Sequence, residues 1–265
     1  MRIYNLGIEK TGTSSLSGLL ENNNSVHEHL FKETTNKILQ WKDGSITRDE
    51  FVNYIIDRET NRSEPFIDVS TFNHFYADIL LDRFTDSKFI LTIRDVESWF
   101  ISEVNWISTI NCRTHHRNEF SWLKDYMRIK QKGEYDMFIT TKKHDFEFDS
   151  KIKNNVMKTL LNSSMMEDIL EYYYSSNKKV IDLIPKERLL ILDTNDISKS
   201  DKIISDFCCV PQDSLDHSQS KRNINKNKKK EQIGTLTDYV NYFENKDIRD
   251  RFNDLVTTTQ NKSLN

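Results

Sequence analysis

Apolar positions in this chain fall into two kinds of run, short continuous ones and longer ones at helical spacing. Ile3, Tyr4 and Leu6 predict an opening strand, Gly7 and Gly12 bracket a four-residue loop, and Thr13 to Leu20 predicts a helix that begins with hydroxyl residues. Ser25 to Leu30 predicts a short second strand, and Thr34 to Trp41 and Thr47 to Arg58 predict amphipathic helices. The second of these helices opens on Thr47-x-x-Glu50, the spacing of a capping box. Pro65 to Val69 predicts a strand, Phe72 to Phe84 a helix, and Lys88 to Ile93 a strand whose unbroken apolar character suits a buried parallel sheet. Further on, helices are expected over Lys151 to Ser163 and Met165 to Ile184, a strand over Arg188 to Asp193, and a helix over Ser198 to Val210 that Pro211 stops. Helical spacing returns from Glu231 to Thr257.

Strands that alternate with helices predict an α/β chain around a parallel sheet of about five strands, joined by right-handed crossovers. Loops at the carboxyl ends of such strands share one rim, which selects Gly7 to Ser14, Asp68 to Thr71, and Arg94 onward. Residues 111–150 hold charged and aromatic pieces with no strand, so 111–184 reads as a helical insertion or cap and 223–265 as a basic segment followed by a helix. With 265 residues, one catalytic domain is expected, built on a core that 15 Phe, 10 Tyr and 4 Trp furnish under a surface rich in charge. No apolar run approaches the ~20 residues that span a bilayer. A first strand at Arg2 leaves no room for a signal peptide, so a cytoplasmic protein is expected. Cys112, Cys208 and Cys209 have neither disulfide nor zinc spacing, and no metal site is expected. Net charge is −3, and the basic run Lys221 to Lys230 reads as a solvated loop.

The first loop is where chemistry enters. Amide N–H groups left over at a helix start, together with the positive end of the helix dipole, bind anions, and glycines let the backbone approach a phosphate. Gly7 and Gly12 fit the nucleotide-binding pattern G-x-x-x-x-G-K-[ST], but Thr13 stands at the lysine position and the lysine is Lys10, inside the loop. Thr11, Ser14 and Ser15 add hydroxyls. This strand, loop and helix resembles the 5′-phosphosulfate loop of sulfotransferases that use 3′-phosphoadenosine 5′-phosphosulfate (PAPS).

A second site follows the Lys88 to Ile93 strand. Arg94 leaves the strand end as a fixed cation suited to bidentate phosphate binding, Asp95 can cap the next helix, and Ser98 and Ser102 are four apart on one face. Arginine followed by serine eight residues later resembles the 3′-phosphate motif of the same family, in which Asp95 and Trp99 also fit while Val96 replaces a proline. Ile184 to Asp193 and the stretch from Phe207 through Pro211 to Arg222 extend the resemblance over most of residues 1–222. Relatives carry Pro-His-x-Asn ahead of their basic residues, where this chain has Asp216-His217-Ser218-Gln219 and then Lys221 and Arg222; at a His-Asn pair of the family it has Ser176-Asn177.

The resemblance implies a three-layer P-loop-like fold and in-line transfer of a sulfuryl group from PAPS to a hydroxyl or amine, leaving adenosine 3′,5′-bisphosphate (PAP), without a metal. Gly7, Lys10, Thr11, Gly12, Thr13, Ser14 and Ser15 would hold the 5′ end, Arg94 and Ser102 the 3′-phosphate, and Lys221 and Arg222 the 3′-phosphate or a flanking phosphate, with Lys10 neutralising the leaving oxygen. The family's general base lies near the end of the preceding strand; Asp68 occupies that place, and His27, His29 and His74 are the other candidates. The acceptor, a small molecule, carbohydrate or lipid, has no motif, and neither a nucleic-acid partner nor an oligomeric state is indicated. Two other readings stay open: a Mg-dependent P-loop kinase or NTPase with Asp193 as its acid, and a nucleotide-binding protein without turnover.

Overall fold

A computed structural model describes residues 1–61, 66–103, 106, 163–220 and 250 of the chain. The expected helices over 151–163 and 231–257, the 111–150 insertion and the 221–230 basic run lie outside the described residues, but for single positions. Contacts divide the chain into two compact units, one of Met1–His29, Arg62–Trp99 and Tyr173–Asn265, the other of Leu30–Asn61 and Phe100–Tyr172.

The first unit is built on five parallel strands, β1 (Arg2–Asn5), β2 (Ser25–His27), β3 (Phe66–Val69), β4 (Lys88–Ile93) and β5 (Leu189–Asp193), in the order β2-β3-β1-β4-β5. β1 is central, with Tyr4 registered against Asp68 on one side and Phe89 on the other. Strand residues alternate between faces. Ile3, Ile67, Ile90 and Leu192 therefore form one face, which packs with Leu16 and Leu19 of helix α1 (Thr13–Leu19) and, further along the sheet, with Ile204 and Cys208 of the late helix Asp201–Cys208. Tyr4 lies on the opposite face, against the rings of Phe84 and Phe89. The chain leaves β1 toward β2 on one side and leaves β4 toward β5 on the other. That reversal opens a crevice beyond the carboxyl ends of β1 and β4, the usual ligand position in an open α/β sheet.

The second unit contains helices α2 (Phe31–Lys42) and α3 (Arg48–Thr60). The expected capping box is present: the Glu50 amide donates to Thr47 Oγ1 (3.2 Å) and the Thr47 amide to Glu50 Oε2 (2.7 Å). The bonds that the Thr47 amide and hydroxyl donate to the carboxylate hold the Glu50 pKa below its usual range. Trp41 stacks on Phe51 at 4.7 Å between the two helices.

Several boundaries differ from the expectations, three of them for a visible local reason. The second strand stops at His27 because Glu28 takes a left-handed backbone, φ 55°. The helix expected over Phe72 to Phe84 is a 3₁₀ turn (Asn73–Tyr76) followed by α4 (Ala77–Arg83). Its first residue, Asn73, is drawn in to donate to the carbonyls of Asn5 (3.2 Å) and Asp68 (3.3 Å). The helix expected over Ser198 to Val210 ends at Cys208, with Cys209 left-handed at φ 54°, two residues ahead of Pro211. The long helix α5 (Ser163–Leu183) and α6 (Asp201–Cys208) flank β5 in sequence.

Candidate active site

The loop from Gly7 to Gly12 is held by its carbonyls. Thr11 donates its hydroxyl to the Ile8 carbonyl (2.6 Å), the Trp99 indole N–H donates to Glu9 O (2.8 Å), Arg94 Nη1 to Lys10 O (3.3 Å), and the Thr194 hydroxyl to Thr11 O (2.5 Å). Four successive carbonyls are thus engaged by side chains, three of them from beyond β4 or β5. The amides of the following helix start are left over: the first helical bond runs from the Leu16 amide to Gly12 O (2.9 Å), and no side chain caps the end. Among the described residues the N–H groups of Gly12, Thr13, Ser14 and Ser15 have no hydrogen-bond acceptor, as the first turn of a helix requires unless an anion or water supplies one.

Both glycines have a steric reason. A Cβ on Gly7 would stand 2.0 Å from Thr92 Oγ1 and 2.7 Å from Thr92 O. Gly12 has φ 96°, and a Cβ there would meet Ile197 Cδ1 at 2.8 Å. Lys10, half-buried in the loop, is left-handed at φ 64°. A non-glycine residue in that region stores strain that surrounding contacts must hold, and such strain concentrates at functional positions.

Of the backbone and hydroxyl donors expected in the turn, Thr11 has its hydroxyl engaged inside the protein. The side chain is fully buried, and besides its bond to Ile8 O it lies 2.9 Å from Thr92 Oγ1, which stands 3.2 Å from Asn5 Oδ1. Its backbone amide is the part that faces no such partner. Thr13 is buried as well, which leaves Ser14 and Ser15 as the half-exposed hydroxyls of the turn.

Arg94 emerges where β4 ends, in the crevice marked by the strand order. Its guanidinium reaches back to the Lys10 carbonyl, so the arginine and the loop lysine share one wall. Burial lowers its pKa while the Asp95 and Asp193 carboxylates oppose the shift; arginine stays cationic throughout. Asp95 caps the helical residues 96–103 by accepting the Ser98 amide (2.9 Å), as expected. Ser102, also helical, belongs to the second unit. Trp99 is fully buried and lies 4.7 Å from the Tyr173 ring, with its N–H on the loop. Asp193 accepts the Asn195 amide (2.7 Å).

The candidates for the base separate clearly. Asp68 is registered with Tyr4, so alternation turns it to the sheet face away from α1, where it is completely buried and accepts the Ser70 hydroxyl. Asp68 is thus enclosed on that face of the sheet, with no exposed surface. His74 is buried with Nδ1 2.6 Å from Thr71 O, and His29 contributes its backbone amide to Ser70 Oγ (3.2 Å). His27, the last residue of β2, is the histidine that reaches the first turn of α1: Nε2 lies 3.3 Å from Ser14 Oγ and 3.9 Å from Glu28 Oε1, with its side chain 34% exposed. Glu28 in turn accepts the Thr71 amide (3.1 Å), tying the ends of β2 and β3.

Lys221 and Arg222 lie outside the described residues. The chain leading to them docks on α1, where the Asp216 amide donates to Leu19 O (2.8 Å) and a Cβ on Gly18 would meet Gln219 O at 2.4 Å. His217 of that segment pairs with Asp201 Oδ2 at 2.9 Å. Sequence reasoning missed Thr92, Thr194, Tyr173 and the loop contact of Trp99. The available signals were a threonine inside an apolar strand and another just past the end of β5.

Residues 2–198 match the family model described as a sulfotransferase domain. No curated protein matches the chain. Among the described residues no helix is long and apolar enough to cross a membrane.

Proposed function

The chain belongs to the sulfotransferase family and is a transferase of sulfuryl groups, and from that premise we propose that its donor is PAPS and its acceptor a hydroxyl or amine. The observation that carries the reading is the loop whose carbonyls are held by the protein while the amides at the start of α1 meet no acceptor among the described residues, with Arg94 bonded to the same loop. The donor set suits a nucleotide with a phosphosulfate at one end and a phosphate at the other. The amides of Gly12 to Ser15 and the hydroxyls of Ser14 and Ser15 hold the 5′ end, and Arg94 takes the 3′-phosphate, with Lys221 and Arg222 as its further partners. PAPS supplies an activated sulfuryl group; the protein positions it and stabilises charge that shifts to the leaving oxygen.

Lys10 is the cation for that oxygen, held by a strained backbone whose carbonyl is pinned by Arg94. With two fixed cations at the site, transfer proceeds without Mg²⁺ in this reading. His27 replaces Asp68 as the base that accepts the acceptor's proton. It is accessible, it sits against Ser14 at the start of α1, and Glu28 lies close enough to favour the imidazolium once formed. Asp68, enclosed and bonded to Ser70, supports β3 instead. The acceptor is a small molecule, carbohydrate or lipid, and the protein works in the cytoplasm.

Calorimetry with PAP and with ATP, each with Mg²⁺ and with EDTA, tests the reading. PAP binding that survives EDTA, together with sulfuryl transfer to an acceptor panel, supports it. Binding of Mg-ATP in preference to PAP would assign the site to phosphoryl transfer, and PAP binding without turnover across the panel would leave a binding protein.

A further inference from the structure

We propose that Tyr173 is a positioning residue which, by fixing the Arg94 backbone, sets the preference of this site for a nucleotide bearing a 3′-phosphate. The proposal rests on the reading of Arg94 given above. The β4 ladder closes with the Ile93 carbonyl, which accepts the Thr194 amide at 2.8 Å. The next carbonyl, that of Arg94, has left the sheet and accepts the Tyr173 hydroxyl at 2.5 Å. The orientation of that peptide determines where the Arg94 side chain departs, and the guanidinium must satisfy both Lys10 O and a bound phosphate. A change of a fraction of an ångström at the backbone is enlarged along so long a side chain, and bidentate pairing is sensitive to it.

Tyr173 also backs the other end of the site. Its ring lies 4.7 Å from Trp99, both side chains are fully buried, and the Trp99 indole holds Glu9 O in the loop. One residue of α5 therefore supports both anion-binding arms without itself facing the ligand. Burial raises the phenol pKa far above its ordinary value, so the hydroxyl remains a donor at every working pH and takes no part as a base. Phenylalanine would fill the same core volume, so the hydroxyl is the part of Tyr173 that packing does not explain.

The test is calorimetry of the full chain with PAP and with adenosine 5′-monophosphate (AMP), which differ only in the 3′-phosphate, for wild type, Tyr173→Phe, Arg94→Ala and the double variant. Wild type is expected to prefer PAP. Tyr173→Phe should weaken PAP about three- to tenfold, the range of one hydrogen bond, with AMP unchanged, and should cost nothing further once Arg94 is alanine. Equal losses for PAP and AMP, a PAP loss that persists in the Arg94→Ala background, or no loss at all would overturn the proposal. Wild type with no preference between the nucleotides would remove the 3′-phosphate role of Arg94 itself, a failure visible without any variant. Should Tyr173→Phe melt near the assay temperature, the difference between the melting-temperature rises given by saturating PAP and AMP reads the same selectivity.

Discussion

Gly7→Ala tests whether the phosphate loop depends on the close approach of β1 and β4. The added Cβ would lie 2.0 Å from Thr92 Oγ1, 2.7 Å from Thr92 O and 2.9 Å from Thr11 Oγ1. The hydroxyls can turn aside, but Thr92 O belongs to a strand held between β1 and β5, so the backbone has little room to withdraw. Overpacking of this kind costs about 1–3 kcal/mol. Displacing the Thr92 hydroxyl also breaks its contact with Thr11, worth about 1 kcal/mol. A loss near 3 kcal/mol is expected, read as a fall of about 1 M in the urea midpoint at an m-value of about 3 kcal/mol/M. PAP affinity should fall with it, because Thr11 anchors the loop through the same hydroxyls. The informative background is Thr92→Ala, which removes the 2.0 Å contact and keeps the one to the carbonyl. There Gly7→Ala should cost less than in wild type, yet more than nothing. A single-variant loss below about 1 kcal/mol, or strictly additive losses in the double variant, would refute the packing argument.

Four further outcomes follow from the site. Lys10→Ala should lower transfer by roughly a hundredfold to a thousandfold while PAP binding changes far less, and near-normal turnover would remove Lys10 from the chemistry. Arg94→Ala should weaken PAP by about 1.5–3 kcal/mol and leave AMP nearly unchanged, whereas equal losses would make the arginine a structural brace. His27→Ala should cut turnover by about a hundredfold or more with PAP affinity and melting temperature retained, while Asp68→Asn acts mainly on stability; turnover lost through Asp68 in a fully folded variant would restore the carboxylate as base. Burial raises the Cys208 thiol from 9.0 to about 12, so the unfolded chain ionises first and native stability should decline from about pH 9 until it levels near pH 12. Denaturation curves of wild type and Cys208→Ala across that window check the sign, and a decline of equal size in both proteins would assign it to other groups.

The local elements of this protein were legible in the chain because their causes are local. Lys88 to Ile93 is β4 at the expected boundaries, and the Thr47 and Glu50 capping bonds formed as their spacing requires. The strand, glycine loop and helix at Arg2 to Leu19, and Arg94 followed by the capping Asp95, are likewise read from neighbours in sequence. What turned these pieces into a site is contact across long separations: 81 residues between Thr11 and Thr92, 84 between Lys10 and Arg94, 90 between Glu9 and Trp99, and 183 between Thr11 and Thr194. No periodicity encodes such pairs, since they exist only once β4 lies beside β1 and β5 beside β4. The same limit explains Asp68 and His27. An acid near a strand end looks functional in sequence, but strand phase alone chose its face and enclosed it, while the placing of β2 beyond β3 carried a half-exposed histidine to Ser14. Sequence determined which groups were available, and tertiary structure decided which of them met, because side-chain direction and strand order are properties of the packed sheet.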